Sequence, residues 1–480
     1  MMTETSTKVS RRSTMKSLGL IGSTVFLTGG TPVLEARAAS VGQGDFYAAL
    51  CQRIDETPFI DTHEHLLEEE ERLQENSGRI KANDWSFILS HYLDSDLLSA
   101  GMPRPEYEAF FSAALDPMQK WAVLEPWWWA VRHTGYGQAV EIAVRKLYDV
   151  EGLTKDSIVK IQEGYLKGIQ PGFYTRYLRD FAGIESCQVN CLSAPFSETS
   201  QPLLLMQDLS IIGMHMGPNI GAYAPKAGIE VKELADWHRV IDWWFEHYGP
   251  YATAVKSQAA YSRNIDFDPV PAERAEPLFL KRIRGESLDG EEKKALEDHL
   301  FWYAVGKANH YNLPVKLHTG YYAGTASMPL GRLAENGGAA SDLCRRSPET
   351  RFDFFHINYP NYEELIAAAK QYPNAYVDMC WAWIVNPAAS VDFLKKYIVT
   401  APINKIFTFG GDYIPVEPVI GHAAIARRGI GLALAELVQE GWLTQDGAMD
   451  LVEPLLCGNA RKMFALEAKS QSLKNAPWRG

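Results

Sequence analysis

The sequence contains little cysteine, and what it has is scattered. Six cysteines occur in 480 residues without any Cys-x-x-Cys pair, which excludes the common thiolate zinc site. Cys187 and Cys191 share an apolar run that indicates a strand, where four residues span about 13 Å, too far for a disulfide bond. We therefore interpret the cysteines as core or incidental thiols.

An excess of positive charge and a membrane-length apolar run are also missing. The net charge is −12 at pH 7, which disfavours nucleic-acid and anionic-membrane partners. No apolar run in the sequence reaches the roughly 20 residues that span a bilayer, so we expect no stable membrane insertion. With 46% apolar residues, the chain has ordinary globular composition and enough length for a large core.

The amino terminus has the parts of an export signal in the right order. Arg11 and Arg12 precede a mildly apolar run from Leu18 to Leu27, and residues 36–38, Ala-Arg-Ala, are similar to a signal-peptidase site. Paired arginines are typical of the signal read by the twin-arginine export machinery. We predict that residues 1–38 are a twin-arginine signal peptide and that the protein is periplasmic or secreted. A disordered basic tail is the alternative.

Short apolar runs then alternate with helical patterns such as those at 231–248 and 362–371. Alternation of strand and helix repeated eight times favours a parallel sheet closed as a (β/α)8 TIM barrel. The eight predicted strands are Phe59–Thr62, Gln188–Leu192, Ile211–Met216, Thr253–Ser257, Val315–His318, Phe352–His356, Ala375–Met379 and Ile406–Phe409.

The first two predicted strands are separated by a much longer segment than the others. We predict a barrel over residues 55–467 with a large helical insertion at 67–185, and a C-terminal tail at 468–480. Because the insertion leaves the carboxyl end of the first strand, it can cap the active face of such a barrel. The tryptophans at 127–129 either pack inside the insertion or form an aromatic wall facing substrate. The helices predicted in the insertion are Asp84–Leu98, Pro105–Ala114, Tyr136–Leu147, Lys155–Leu166 and Arg176–Phe181.

Two histidines follow the first strand. His63 and His65 are two residues apart, so on a strand both side chains point to the same face. Neutral imidazole is a common ligand of zinc and similar divalent metals. On its own, the pair is a weak signal, and two hydrogen-bonded polar residues at a strand-to-loop corner are the alternative.

Further residues of the same kind occur at the ends of later predicted strands. Lys256 lies in the fourth strand, His318 ends the fifth, His356 ends the sixth and Asp412 follows the eighth. In a barrel all these positions converge on one mouth. Imidazoles and a carboxylate can hold a divalent metal that makes hydroxide available near neutral pH, while an aspartate transfers protons. A lysine at such a mouth must be neutral, paired or modified.

These residues lie in motifs that resemble the amidohydrolase superfamily of metal-dependent barrel hydrolases, and within it the amidohydrolase-2 branch. The superfamily pattern is His-x-His after strand 1, Lys or Glu after strand 4, His after strands 5 and 6, and Asp after strand 8. The resemblance covers residues 55–467. The motifs that carry it are KSQAAYSR at 256–263, KLHTGYYAG at 316–324, HINYP at 356–360, YVDM at 376–379, FGGDY at 409–413 and GNARKMF at 458–464.

The resemblance implies a divalent metal, with zinc as the expected ion, and roles for the residues around it. Asp412 would act as proton shuttle, and His318 or His356 would polarise a substrate carbonyl. One metal or two stays open: a carbamate on Lys256 would bridge two ions, whereas with one ion Lys256 would pair with a substrate anion. The expected ligands are His63, His65, Lys256, His318, His356 and Asp412.

The leading hypothesis is an exported metal-dependent hydrolase in which metal-bound hydroxide attacks an amide, lactone or ester carbonyl of a small polar substrate. A non-oxidative decarboxylase or a uronate-isomerase-like enzyme on the same scaffold is the first alternative. A non-catalytic periplasmic metal- or solute-binding protein is the second. Assembly as a homo-oligomer stays open. The residues expected to grip the substrate are Arg132, His133, Tyr261, Arg263 and Lys316.

Overall fold

A computed structural model of the chain describes residues 44–74 and 82–479, so the predicted signal peptide at 1–38 lies outside the described residues. Within the described ranges, every paired strand runs parallel to its neighbour. The strands are β1 Phe59–Glu64, β2 Ile184–Val189, β3 Leu205–Gln207, β4 Leu209–Ser210, β5 Val255–Ser257, β6 Val315–His318, β7 Phe352–Phe355, β8 Ala375–Asp378 and β9 Ile406–Phe407.

The strands occupy eight positions around a barrel. One sheet has the order β1-β2-β3 and the other runs from β4 to β9 in sequence order. β3 and β4 are two halves of one strand interrupted at Asp208, whose N–H donates to the Val189 carbonyl of β2 at 2.9 Å. At the opposite seam, the Thr62 N–H of β1 donates to the Phe409 carbonyl beyond β9 at 3.0 Å. These bonds join the two sheets on both sides, and the predicted barrel fold is confirmed.

The strand predicted at 211–216 was wrong. Residues Ile212–His215 form a short helix, and the strand lies earlier, in β3 and β4. The apolar run at 211–216 was misleading because the true strand carries the polar side chains of Gln207 and Asp208. These are buried in the barrel, where Asp208 pairs with Lys316 at 2.8 Å. The second strand likewise begins at Ile184, four residues before its predicted start.

Helices make up most of the remaining described chain, and none of them is long and apolar enough to cross a membrane. The six cysteines, all in the described part, are free thiols. Residues of the predicted C-terminal tail continue a helix that buries Leu473. The α-helices are Gly44–Glu56, Glu69–Leu73, Leu93–Ser99, Arg104–Phe110, Pro117–Val131, Gly135–Tyr148, Ile158–Gly168, Phe173–Thr175, Ile212–His215, Ile220–Ala227, Leu234–Tyr248, Ala272–Ile283, Gly290–His310, Leu333–Arg346, Tyr362–Gln371, Ala382–Val385, Pro387–Thr400, Glu417–Gln439, Gln445–Glu453, Asn459–Met463 and Leu466–Lys474. The 3₁₀ helices are Trp85–Leu89, Ala259–Tyr261, Leu330–Arg332, His356–Asn358, Ile403–Lys405 and Pro477–Arg479, and the π-helical turns are Arg176–Phe181 and Pro454–Gly458.

The segment between β1 and β2 is helical as predicted but contains a helix that the sequence did not predict. Helix Pro117–Val131 has Pro126 in its interior, and an interior proline removes a backbone donor and normally argues against a helix. Its start is strongly fixed, because Asp116 accepts from the Gln119 N–H at 2.9 Å and the Gln119 side chain accepts from the Asp116 N–H at 3.0 Å. Pro117 occupies the first helical turn, where its missing donor costs nothing.

The long helix Glu417–Gln439 fixes the insertion to the barrel. It lies so close to helix Gly135–Tyr148 that a Cβ on Gly421 would be 1.8 Å from the Ala139 carbonyl oxygen. At its first turn, Glu417 pairs with Arg72 at 2.6 Å, and both side chains are fully buried. The insertion is therefore an integral layer of the fold, which allows it to supply residues to the barrel mouth.

Candidate metal centre

A cavity of about 500 Å³ opens at the carboxyl ends of the strands. All six predicted metal ligands contribute to its wall, because each lies near the carboxyl end of a strand or in the loop directly after it. The described residues that line the cavity are His63, His65, His91, Tyr92, Leu192, Ile212, Met216, Lys256, Gln258, Tyr261, Ser262, His318, Ala323, His356 and Asp412.

Three of these side chains bring ligand atoms to one point. Asp412 Oδ1 lies 3.1 Å from His63 Nε2 and 3.3 Å from His65 Nε2. The candidate ligand atoms of the three residues all lie within 4.8 Å of one another. His63 and His65 reach the same point because they are two residues apart on β1, as their spacing predicts. Two imidazoles and a carboxylate are a common ligand set for zinc and related ions.

Backbone carbonyls fix the orientation of the imidazoles. The His65 Nδ1–H donates to the Asn190 carbonyl at 2.7 Å, so the lone pair of His65 Nε2 faces the cavity. His356 Nδ1 bonds the Cys380 carbonyl at 2.9 Å, and His318 Nε2 bonds the Tyr321 carbonyl at 2.9 Å. The remaining nitrogens, His356 Nε2 and His318 Nδ1, lie 3.0 Å apart.

Burial keeps these imidazoles neutral. It lowers the pKa of His65 to about 4 and that of His318 to about 3, and it also lowers the pKa of His63 and His356. A neutral imidazole has a free lone pair and can bind a metal without first losing a proton. Burial raises the pKa of Asp412 to about 7, so this carboxyl is poised to exchange a proton near neutral pH.

Lys256 is buried in the wall beside this group. Its Nζ lies 3.5 Å from His63 Nε2 and 3.6 Å from the ring centre of Phe355. Burial lowers the pKa of Lys256 to about 8, so an appreciable fraction is uncharged near neutral pH. The structure therefore brings Lys256 to the predicted place, and its roles as a metal ligand or carbamate stay predictions.

Asp412 is held in a left-handed backbone conformation with φ +62°. Two buried carboxylates from β1 bind the backbone on either side of it: Asp61 Oδ1 accepts from the Gly411 N–H at 3.3 Å, and Glu64 Oε2 accepts from the Tyr413 N–H at 2.6 Å. A non-glycine residue in this region costs of order 1–3 kcal/mol and persists only when its surroundings fix it. Asp61 and Glu64 therefore position the Asp412 carboxylate.

The donor set fits a divalent cation. Asp412 Oδ1 is buried without a hydrogen-bond partner. Asp412 Oδ1 also faces the lone pair of His65 Nε2 at 3.3 Å, an acceptor against an acceptor. A cation between these atoms satisfies both, since buried polar atoms are otherwise costly to leave unpaired. His63, His65 and Asp412 are the residues that would hold it.

The residues predicted to bind the substrate lie in different parts of the structure. Tyr261 lines the cavity, whereas Arg132 and His133 are exposed at the end of helix Pro117–Val131. Arg263 pairs with Asp298 at 2.6 Å outside the cavity.

Lys316 is likewise kept from the cavity by its contacts. Its Nζ lies deep in the barrel, bonded to Asp208 and to the Thr62 carbonyl at 2.8 Å. Apart from Tyr261, the predicted substrate residues are thus not brought to the cavity. The tryptophans at 127–129 are also absent from its described lining, and Trp128 is packed in the insertion.

Among the cavity residues that were not predicted are two from the insertion. His91 and Tyr92 come from the insertion, where one continuous helix was predicted over 84–98. The structure instead breaks between Leu89 and Leu93 and turns both rings towards the barrel. Tyr92 hydrogen-bonds the Asp412 side chain, and His91 Nδ1 accepts from the Ile414 N–H at 3.2 Å. The adjacent His-Tyr pair was the only local signal, and its spacing matched no metal motif.

Sequence comparisons relate part of the chain to a known family. Residues 287–466 match the Amidohydro_2 family, described as amidohydrolase, and this region contains His318, His356 and Asp412. Protein fluG of Emericella nidulans is 23% identical over 235 residues, which are 46% of this chain and 27% of that protein. The chain thus spans about a quarter of the length of this curated relative.

Two solved structures are similar over most of the chain. Glucuronate isomerase from Caulobacter crescentus has a TM-score of 0.72 at 16% identity and covers 88% of this chain and 94% of its own. Uronate isomerase from Thermotoga maritima has a TM-score of 0.69 at 14% identity, with 88% and 98% covered. At these identities the likeness shows the shared barrel fold and not the activity. The carboxyl-terminal part of the chain is therefore similar to the amidohydrolase family, and the chain as a whole shares its barrel fold with these two solved structures.

Proposed function

We propose that the protein is a zinc-dependent hydrolase that cleaves an amide, lactone or ester bond of a small polar substrate. The observation that carries this proposal is the convergence of His63, His65 and Asp412 at one point, with the neutral His318 and His356 beside them. This set combines a cation site, a carboxyl with a pKa near neutrality and two neutral imidazoles in a single cavity.

When bound, the metal would act as a Lewis acid towards water and the substrate carbonyl. Asp412 takes a proton from the attacking water at its carboxylate and returns it to the leaving nitrogen or oxygen. The water oxygen adds to the carbonyl carbon, the carbon–nitrogen or carbon–oxygen bond breaks, and a carboxylic acid and an amine or alcohol leave. Tyr92 donates to Asp412 and orients it, while the lone pairs of His356 Nε2 and His318 Nδ1 are placed to accept a hydrogen bond from the attacking water or the substrate.

The lining of the cavity favours a substrate without a carboxylate near the reacting carbon. Among the described lining residues, Lys256 is the one lysine and no arginine is present. Lys256 is also buried against His63, so little of it is free to pair with an anion. Carboxylate recognition usually relies on the bidentate fork of arginine.

An isomerase that acts on a uronate is the second candidate. Its support is the extent of the fold likeness, since the uronate and glucuronate isomerases match 88% of this chain, which includes much of the helical insertion. Such an enzyme would need a group that holds the uronate carboxylate, and the described cavity lining offers only Lys256 for that purpose.

Turnover in ¹⁸O-labelled water separates the two candidates. We expect zinc-loaded protein to cleave members of a panel of lactones, esters and N-acyl amines, with one ¹⁸O in each product carboxylate, and to leave uronates unchanged. Asp412→Asn should lower kcat at least about a hundredfold. Conversion of uronates to ketoses without any cleavage would favour the isomerase. Bound zinc without turnover of either class would favour a binding protein.

The number of zinc ions bound per chain can be measured in the same preparation. We propose that a carbamate on Lys256 supports a second ion, because the residue is buried with a lowered pKa beside His63. Lys256→Ala should then reduce zinc from about two to about one per chain, and bicarbonate should aid reconstitution of the wild type. One zinc per chain in both forms would show a mononuclear site.

We also propose export by the twin-arginine route. The support is the order of Arg11, Arg12, the apolar run and the Ala-Arg-Ala site in the sequence. Replacing both arginines by lysine should retain the protein in the cytoplasm with its amino-terminal segment uncleaved. Unchanged export of this variant would contradict the proposal.

A further inference from the structure

The mouth of the barrel is divided into a sector that carries the candidate ligands and a sector that is apolar. With β3 and β4 counted as one, the strands occupy eight positions, and the six predicted metal ligands lie in or after the strands at the first, fourth, fifth, sixth and eighth. The second and third positions supply the cavity with Leu192, Ile212 and Met216. All the described lining residues from these two positions are therefore apolar, and we call these three side chains the apolar wall.

The apolar wall is only partly covered by the protein. Leu192 is 56% exposed, although its side chain is large and apolar. Ile212 and Met216 pack against the core and remain partly exposed. They are four residues apart across the short helix Ile212–His215, so both lie on the same helical face. Single exposed apolar residues are common on protein surfaces, but three of them in the wall of one cavity indicate a surface that a ligand covers.

The metal centre indicates what this ligand is. His63, His65 and Asp412 line the same cavity of about 500 Å³, a volume typical of sites for small molecules. A molecule whose carbonyl lies at these residues therefore places its other atoms within the same walls. A sugar acid has a hydroxyl group on nearly every carbon, and those hydroxyls would lose hydrogen bonds to water against the apolar wall. A hydrocarbon group loses none and gains about fourfold in affinity for each methylene that leaves water.

Asp412 indicates which part of the substrate faces the apolar wall. It follows the eighth strand position, which the first position separates from the second and third. In the proposed hydrolysis this carboxyl returns a proton to the leaving nitrogen or oxygen, so the leaving group lies on its side of the metal centre. The acyl group of the same carbonyl then extends the other way, towards the second and third positions.

We propose that the substrate carries a hydrocarbon acyl arm that packs against Leu192, Ile212 and Met216. The polar part of the substrate is then the alcohol or amine that leaves. The substrate class is thus an ester or amide of an apolar carboxylic acid. This assignment rests on the proposed function in one respect, that the scissile carbonyl lies at the metal centre.

Alkyl hydroxamates test the apolar wall without turnover, because the hydroxamate group binds zinc and the alkyl chain stands in for the acyl arm. Hexanohydroxamate has four methylenes more than acetohydroxamate, and full burial of all four would strengthen binding about 250-fold. Because part of the chain stays in water, we expect hexanohydroxamate to bind zinc-loaded protein at least about thirtyfold more tightly than acetohydroxamate. Isothermal titration calorimetry measures both dissociation constants.

Two leucines of similar exposure localise this effect. Leu192→Gln keeps the size of the side chain and makes the wall polar, so the ratio of the two dissociation constants should fall at least about fivefold, and Met216→Gln should act in the same way. Leu166→Gln makes the same change on helix Ile158–Gly168, where Leu166 is 51% exposed and is not among the described lining residues. It should leave the ratio within about twofold. A wild-type ratio near one, no binding of hexanohydroxamate, or equal ratios in Leu192→Gln and Leu166→Gln would overturn the proposal.

An acyl series links the apolar wall to turnover. Esters and amides of one polar alcohol or amine should differ in KM with the length of the acyl chain, and kcat/KM should be at least about thirtyfold higher for hexanoyl than for acetyl. Leu192→Gln should raise KM for the hexanoyl substrate at least about fivefold and leave that for acetyl within about twofold, whereas a loss of folded protein would affect both alike. Hydrolysis that does not depend on chain length would overturn the acyl-arm assignment. If no member is hydrolysed, the proposed function fails, and the hydroxamate ratio still decides whether the wall binds an apolar arm.

Discussion

Glu64 offers a test of how the metal centre is built, because it is the middle residue of the His-x-His motif and points away from the cavity. Its carboxylate accepts from the Tyr413 N–H at 2.6 Å and is fully buried. Glu64→Ala leaves this amide buried and unpaired, which costs about 1–3 kcal/mol of folding free energy. It also frees Asp412 to leave its left-handed conformation, so the carboxylate should no longer face His63 and His65.

We expect the metal affinity of this variant to fall about 10–100-fold, the usual effect of removing a residue that orients a metal ligand. Competition with a zinc chelator measures the affinity, and thermal unfolding of the metal-free protein measures the stability separately. Glu64→Gln keeps an oxygen acceptor for Tyr413 and should bind zinc within about threefold of the wild type. Wild-type affinity in Glu64→Ala, or equal losses in both variants, would refute this reasoning.

Three further predictions concern stability and pH. Arg72→Met leaves Glu417 buried without its partner and should lower the unfolding free energy by about 3–5 kcal/mol in urea titrations; a change under 1 kcal/mol would contradict it. Gly421→Ala places a Cβ 1.8 Å from a backbone oxygen and should cost about 1–3 kcal/mol or more in thermal unfolding, whereas Gly431→Ala, with its nearest atom at 3.4 Å, should be nearly neutral. Because burial raises the pKa of Asp412 to about 7, protons compete with metal below that pH, and the apparent Kd for zinc should rise about tenfold per pH unit as the pH falls; a flat profile between about pH 5.5 and 7 would contradict a raised pKa of Asp412.

The sequence predicted which side chains meet at the barrel mouth because these residues obey simple geometry. His63 and His65 share a face of β1 by the two-residue period of a strand. His318, His356 and Asp412 follow strands that run parallel, so their side chains meet at one end of the barrel whatever the details of the loops. The location of residues at strand ends can therefore be inferred from the sequence pattern with little error.

The location of residues on long connections could not be inferred from the sequence in this way. Tyr92 reaches Asp412 only because the insertion breaks at residues 90–92, and no periodicity marks that break. Arg132 follows a helix that was not predicted because it has a proline in its interior. The exposed position of Arg132 was therefore not predictable. Lys316 was expected at the mouth, but on β6 it points into the barrel interior, where Asp208 neutralises it.

The central claim is that His63, His65 and Asp412 hold a divalent metal, and anomalous diffraction from zinc-loaded crystals tests it most directly. Data collected on either side of the zinc absorption edge should show a peak about 2 Å from His63 Nε2, His65 Nε2 and an Asp412 oxygen. The peak should disappear in crystals of His65→Ala grown and loaded in the same way. Zinc peaks found only outside this cavity, or a wild-type cavity without one at full zinc loading, would contradict the account.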